Sequence, residues 1–322
     1  RQWTLDKNIF DSSLNWTYQD YDYKLWVGST FRPNDDDSDP RVFTIMHHEW
    51  PQNGPSQREK HDVKTLVWGI SRDGGRTFGT KPYTSYANGG GSNNERCWIV
   101  PSPSYRKCGN FIYGFFHPSN VVKEGRFFYW TAGYFSLEGD VAIPSSDCPS
   151  DATILEGRVL MRCKDANLGD PTKAEILDEN MNWVGTRDVW PPYWGCDYHK
   201  PYVFWPEYRN PFNKGQGTSN RGTSLRWHKG ADKWVMFGVD DGNIGFATSD
   251  SLSDPKFDQG ESWKNGTNPL NVDLRFVNQL SAYTSFFDFE SRGVNYDNIG
   301  GNLECVVVHE RKELWHCNIS LW

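Results

Sequence analysis

The segment SRDGGRTF, residues 71–78, decides how this chain is read. It stands between an apolar run at 63–70 and an aromatic-rich stretch, and its positions suit a reversal of the chain. Ser71 and Asp73 carry short polar side chains that bond nearby backbone, and Gly74 and Gly75 accept the positive φ that other residues avoid. Thr77 and Phe78 then restart an extended strand, so the segment predicts a tight connection between neighbouring antiparallel strands.

The spacing Ser-x-Asp-x-Gly-x-Thr-aromatic resembles the Asp-box, the repeated turn of sialidases and other β-propeller proteins. There the motif joins the third and fourth strands of a blade and lies away from the ligand face. The resemblance therefore implies a fold and leaves the reaction open. Counting backwards from Ser71 gives a third strand at 64–70, a second at 41–47 and a first at 24–30. The connection 48–62 then belongs to the ligand face.

The same order of strands and turns recurs along the chain. Segments 120–122 and 126–135 read as an inner hairpin turned by Lys123, Glu124 and Gly125, followed by a strand at 158–163 and the turn KDANLGDP. A hairpin at 223–228 and 233–239, turned by Lys229 and Gly230, leads to a strand at 244–249 and the turn SDSLSDPKF. A last unit joins 283–289, 304–309 and 314–319. With a further unit from 97–116 or 182–208, these four imply an all-β fold of class β-propeller. It is a single domain over 1–322, with four-stranded antiparallel blades, five preferred and four or six as the neighbouring counts. The N-terminal strand is expected to complete the last blade and close the ring, which leaves few exposed edges.

Composition agrees with a β protein. The 322 residues include 16 Trp, 15 Tyr and 19 Phe but only four Met, and helical periodicity is scarce. A net charge of −7 with no Lys/Arg run argues against nucleic acid as a partner. No apolar run approaches the roughly 18 residues of a membrane span. The chain opens on Arg1, as a processed product would, and a soluble, secreted monomer is expected. Seven cysteines show no zinc-type spacing, and sequons begin at Asn15, Asn265 and Asn318. Together they point to a secreted glycoprotein with up to three disulfides and one leftover thiol.

On this register the second strands end in acids around one mouth: His47-His48-Glu49, Glu138 with Asp140, Asp240-Asp241, and His309-Glu310. Carboxylates gathered there raise one another's pKa values, as a general acid requires. The starts of the innermost strands bring His117 and Asn120, His199, Arg221 and Tyr283 to the same mouth, with Trp194 among the tryptophans able to stack on sugar faces. Each has a plainer reading: solvated loop acids, histidines serving as structural donors, and tryptophans filling the space between sheets.

The chain thus resembles sialidase-like folds through its Asp-box and the five-bladed glycoside hydrolase family 43 clan through its size. Phe31-Arg32-Pro33 stands some forty residues before the box, where sialidases carry Phe/Tyr-Arg-Ile-Pro, but the Ile is missing and no Tyr/Glu nucleophile pair is visible. The reading is a glycoside hydrolase acting on a polysaccharide or oligosaccharide, with Glu49 and Asp240 or Asp241 as paired carboxylates. His48, His47, His199 and Arg221 position substrate. A polysaccharide lyase working through His, Tyr and Arg is the first alternative and a carbohydrate-binding propeller without catalysis the second. No cofactor or catalytic metal is expected. Carboxylates at a propeller axis are able to hold calcium, yet no ligand loop is recognisable.

Overall fold

The computed structural model describes residues 16–18, 21–34, 36, 38–51, 65–76, 97–98, 106–108, 111–116, 118–138, 157–169, 173–186, 202–206, 224–240, 243–255, 284–288, 298–300, 302–309 and 313–320. Among these there is no α-helix, and all but one of the strand pairings are antiparallel.

The first sheet follows the order β1 (Trp16–Tyr18), β2 (Tyr21–Phe31), β3 (Val42–Pro51), β4 (Thr65–Ser71) and β5 (Cys97–Trp98). The second is built on β9 (Phe127–Glu138). On one side lie β6 (Arg106–Cys108), β7 (Phe111–Phe116) and β8 (Val122–Glu124). On the other is β10 (Gly157–Lys164), joined by β11 (Glu175–Leu177), β12 (Trp183–Gly185) and β13 (Val203–Pro206). The third sheet has β14 (Ser224–His228), β15 (Lys233–Asp240) and β16 (Asn243–Ser249) in sequence. The fourth joins β17 (Thr284–Phe287), β19 (Asn302–His309) and β20 (Glu313–Ser320), while β18 (Asn298–Ile299) pairs in parallel with β14.

The four expected units are thus four sheets, with some changes at their margins. Segments 97–116 and 182–208, expected to supply a further blade, contribute their described strands to the first two sheets. β13 and β11 share the outer edge of β10, pairing at Gly157–Val159 and at Met161–Arg162 respectively. β1 pairs with β2 in the first sheet, and residues 1–15, on which the expected ring closure rests, lie outside the described residues. The β8–β9 turn is one residue later than expected, at Gly125 and Arg126. Gly125 has φ 59°, which suits the first central position of a two-residue hairpin turn.

Alternation along β9 and β10 shows how the sheets stack. Phe128, Trp130, Ala132, Val159, Met161 and Cys163 bury themselves with Phe31, Phe43, Ile45 and Trp68 of the first sheet. Their neighbours Tyr129 and Leu160 pack instead with Leu225, Trp234 and Met236 of the third. A sheet covered on both faces needs apolar residues at successive positions, which is why FFYW and VLM read as unbroken apolar runs. Large rings fill the wedge: Trp68 meets Trp130 edge to face at 5.3 Å, and Phe31 lies 5.4 Å from Phe128. Each such ring removed from water contributes about 1.5–3 kcal/mol.

The turn after β4 behaves as its residues require. Gly74 and Gly75 have φ 76° and 87°, and Ser71 Oγ accepts the amides of Asp73 and Gly75 while donating to Asp73 Oδ1 at 2.6 Å. Gly74 N–H reaches Pro40 O at 2.9 Å, tying the turn to the β2–β3 connection. Thr77 and Phe78, which complete the motif, lie outside the described residues.

Candidate functional site

Three seams between the sheets fix their relative polarity. Lys123 in the middle of β8 donates to Asp165 Oδ2 just after β10, at 2.7 Å, and to Pro33 O just after β2, at 3.4 Å. One residue on, the Glu124 carboxylate accepts the Trp234 indole N–H at 2.7 Å and the amides of Leu252 and Ser253 at 3.1 and 3.0 Å, joining the end of β8 to the start of β15 and the segment after β16. The end of β14 pairs with β18, whose Ile299 O accepts Lys229 N–H at 3.1 Å immediately before β19 begins. One rim therefore holds the ends of β2, β8 and β14 and the starts of β9, β15 and β19.

The middle strands β3, β9, β15 and β19 all leave that rim for the opposite one. Their far ends are where the sequence places its acids. Glu49 lies two residues before the end of β3 with Lys24 opposite, and Glu138 closes β9 opposite Phe111. Asp240 closes β15 opposite Asn243, and His309 closes β19 opposite Glu313. Lys24 and Glu313 had no visible signal in the sequence, because only strand pairing sets these positions opposite Glu49 and His309.

β3 runs through Pro51, so His47, His48 and Glu49 are strand residues, whereas the connection was expected to begin at residue 48. Consecutive positions on a strand alternate between faces, which sets His48 apart from His47 and Glu49. Asp241, His117, His199, Arg221, Tyr283 and Trp194 lie outside the described residues. By chain position, Tyr283 directly precedes β17, Arg221 comes three residues before β14, and His117 comes directly after β7.

Asn120 is fully placed. Its side-chain amide donates to Leu225 O and its side-chain oxygen accepts Leu225 N–H, both at 2.7 Å. The residue acts as a splint between the second and third sheets, imitating one step of strand pairing. The pairing uses one of its two amide N–H groups and one oxygen lone pair.

Two arginines that the sequence did not single out are buried. Arg158, 0 % exposed at the start of β10, donates to Thr131 Oγ1 at 2.7 Å, and burial pulls its guanidinium down to about 9. Its burial bars direct contact with a substrate from solvent. Arg226, also buried, donates to Leu225 O at 3.2 Å. Asp178 is a buried acid with a local duty, accepting the amides of Asn180 and Asn182 in the β11–β12 turn. Among the described residues no cluster of three or more His, Cys, Asp or Glu is arranged to hold a metal ion.

Arg32, the candidate sialidase-type arginine, directly follows β2 at the rim of the Asp73 turn. The six-residue step from Phe43, opposite Phe31, to Glu49 spans about 20 Å at 3.4 Å per residue, so Arg32 and Glu49 belong to opposite ends of the first sheet.

No family model matches the chain, and no curated protein does. Its structure is similar, at low identity, to carbohydrate-active enzymes. A family 117 glycoside hydrolase of the marine bacterium Zobellia galactanivorans is 12 % identical with a TM-score of 0.45, over 94 % of this chain and 69 % of that one. The NanB sialidase of Streptococcus pneumoniae is 9 % identical with a TM-score of 0.42, over 97 % of this chain and 52 % of that one. A family 25 polysaccharide lyase, an ulvan lyase, is 9 % identical with a TM-score of 0.36, over 87 % and 54 %. The chain spans about half the length of the latter two.

Proposed function

We propose that the protein is a secreted glycoside hydrolase built as a single β-propeller, with five blades by the sequence count. In this reading Glu49 is an acid or base at the mouth and Asp240 or Asp241 is its partner. His47, His48, His117, Asn120, His199, Arg221, Tyr283 and Trp194 surround a polysaccharide or oligosaccharide. The supporting observation is the common polarity of the four middle strands, with Glu49, Glu138, Asp240 and His309 at or near their far ends.

Two carboxyl groups across one opening suffice for glycoside hydrolysis, one protonating the departing oxygen and the other attacking the sugar or activating water. A separation of about 5–5.5 Å gives retention, and about 6.5–9.5 Å gives inversion. Glutamine at 49 keeps the size of the side chain and removes its proton chemistry. Glu49→Gln is therefore expected to lower reducing-sugar release from a polysaccharide panel by at least about 100-fold, with an unchanged melting temperature. Undiminished turnover by this variant removes Glu49 from the reaction. Ultraviolet-absorbing unsaturated uronate products identify a lyase instead, and glycan binding without any cleavage identifies a binding propeller.

A further inference from the structure

β19 and β20 pair antiparallel over eight residues without a register shift, and this pairing sets Cys305 directly opposite Cys317. Opposed residues in such a ladder have Cα atoms about 4.5–5.5 Å apart. A disulfide spans about 4.4–6.8 Å between Cα atoms. The neighbouring pairs, Glu304 with Asn318 and Val306 with His316, hold the same register on either side.

The other described cysteines are placed differently. Cys163 is fully buried between the first and second sheets, with its Sγ near the carbonyl oxygens of Lys164 and Asn167. Cys97 stands opposite Trp68, and Cys108 stands opposite Phe111. Cys305 and Cys317 alone among the described strands oppose one another.

We propose that Cys305 and Cys317 form a cross-strand disulfide that fastens β20, the outer strand of the fourth sheet among the described residues, to β19. One S–S bond forms and two S–H bonds break. The two electrons and two protons pass to an oxidant of the disulfide class, whose own S–S bond becomes two thiols. An outer strand presents unpaired backbone groups that invite fraying or pairing with another chain, and a covalent link to its neighbour opposes both. The proposal is independent of the substrate. β20 also carries the Asn318 sequon, and glycosylation and disulfide formation belong to the same compartment.

Trypsin cuts after Arg311 and Lys312, between the two cysteines, leaving Cys305 in the peptide 293–311 and Cys317 in the peptide that begins at Glu313. The full-length folded protein, equilibrated in a glutathione buffer poised as in the secretory lumen, is denatured with iodoacetamide and digested without reduction. Mass spectrometry is expected to find these two peptides joined. In Cys305→Ser, Cys317 should become alkylated. Alkylation of both cysteines in the wild-type digest, a link from either to a different cysteine, or continued protection of Cys317 in the variant overturns the proposal.

Discussion

At the residue scale the most informative groups are those whose partners are fully accounted for. Trp130 is 0 % exposed and its indole N–H has no acceptor, so its value lies in its volume and its contact with Trp68. Trp130→Phe should therefore reduce stability to chemical denaturation by less than Trp130→Ala, for which about 3–5 kcal/mol is expected. Equal losses would mean that the indole nitrogen matters more than the ring. Asp39 makes the opposite case. Its carboxylate accepts from Arg41 Nε and Nη2, the Arg41 amide and Asn34, and these hydrogen bonds, Arg41 first, hold its pKa far below the ordinary carboxylate range. A depressed folded pKa means that the unfolded chain takes up the proton first as pH falls. The stabilisation is present above the unfolded value and declines toward the folded one. Thermal melts should show Asp39→Asn to be destabilised at pH 7, with the gap narrowing by pH 2; a constant gap would assign the effect to something other than charge. Asn120 marks the limit of reading at this scale. Nothing in the string His117-Pro118-Ser119-Asn120 points to a splint, because the partner, Leu225, is 105 residues away.

At the element scale, strands were legible where two signals coincided. β3, β4, β14, β15 and β19 lie within a residue or a few of expectation because apolar runs end at glycine, proline or acidic turns. The sharing of the β10 edge by β11 and β13 was not legible, since it depends on a long excursion returning to the same edge. Gly28 shows how an element is shaped by its neighbour. It is the unpaired residue of a register shift in β2, and a Cβ there would lie 2.2 Å from Pro118 Cγ, within the space that lets the first and second sheets close. A proline ring has no flexible end to move aside. Gly28→Ala should destabilise the fold by about 1–3 kcal/mol through overpacking, measured by chemical denaturation. A neutral substitution would mean that the two sheets adjust freely at this seam.

For the whole molecule, the sequence allowed the strand ends to be named but not the way successive sheets are oriented. That information lies in Lys123, Glu124 and the β14–β18 pairing, each of which links segments far apart in the chain. Their combined effect is a molecule with two unlike rims: one holding the Ser71 turn and Arg32, the other receiving Glu49, Glu138, Asp240 and His309. The division sets the turn after Ser71 at the rim away from the proposed chemistry. The most direct test is the separation of the Glu49 and Asp240 carboxyl groups in a crystal structure of the full chain. The two groups are expected to face one another across a single opening within about 10 Å. A separation beyond about 20 Å, roughly the length of a six-residue strand step, with the two groups at opposite rims, would contradict it.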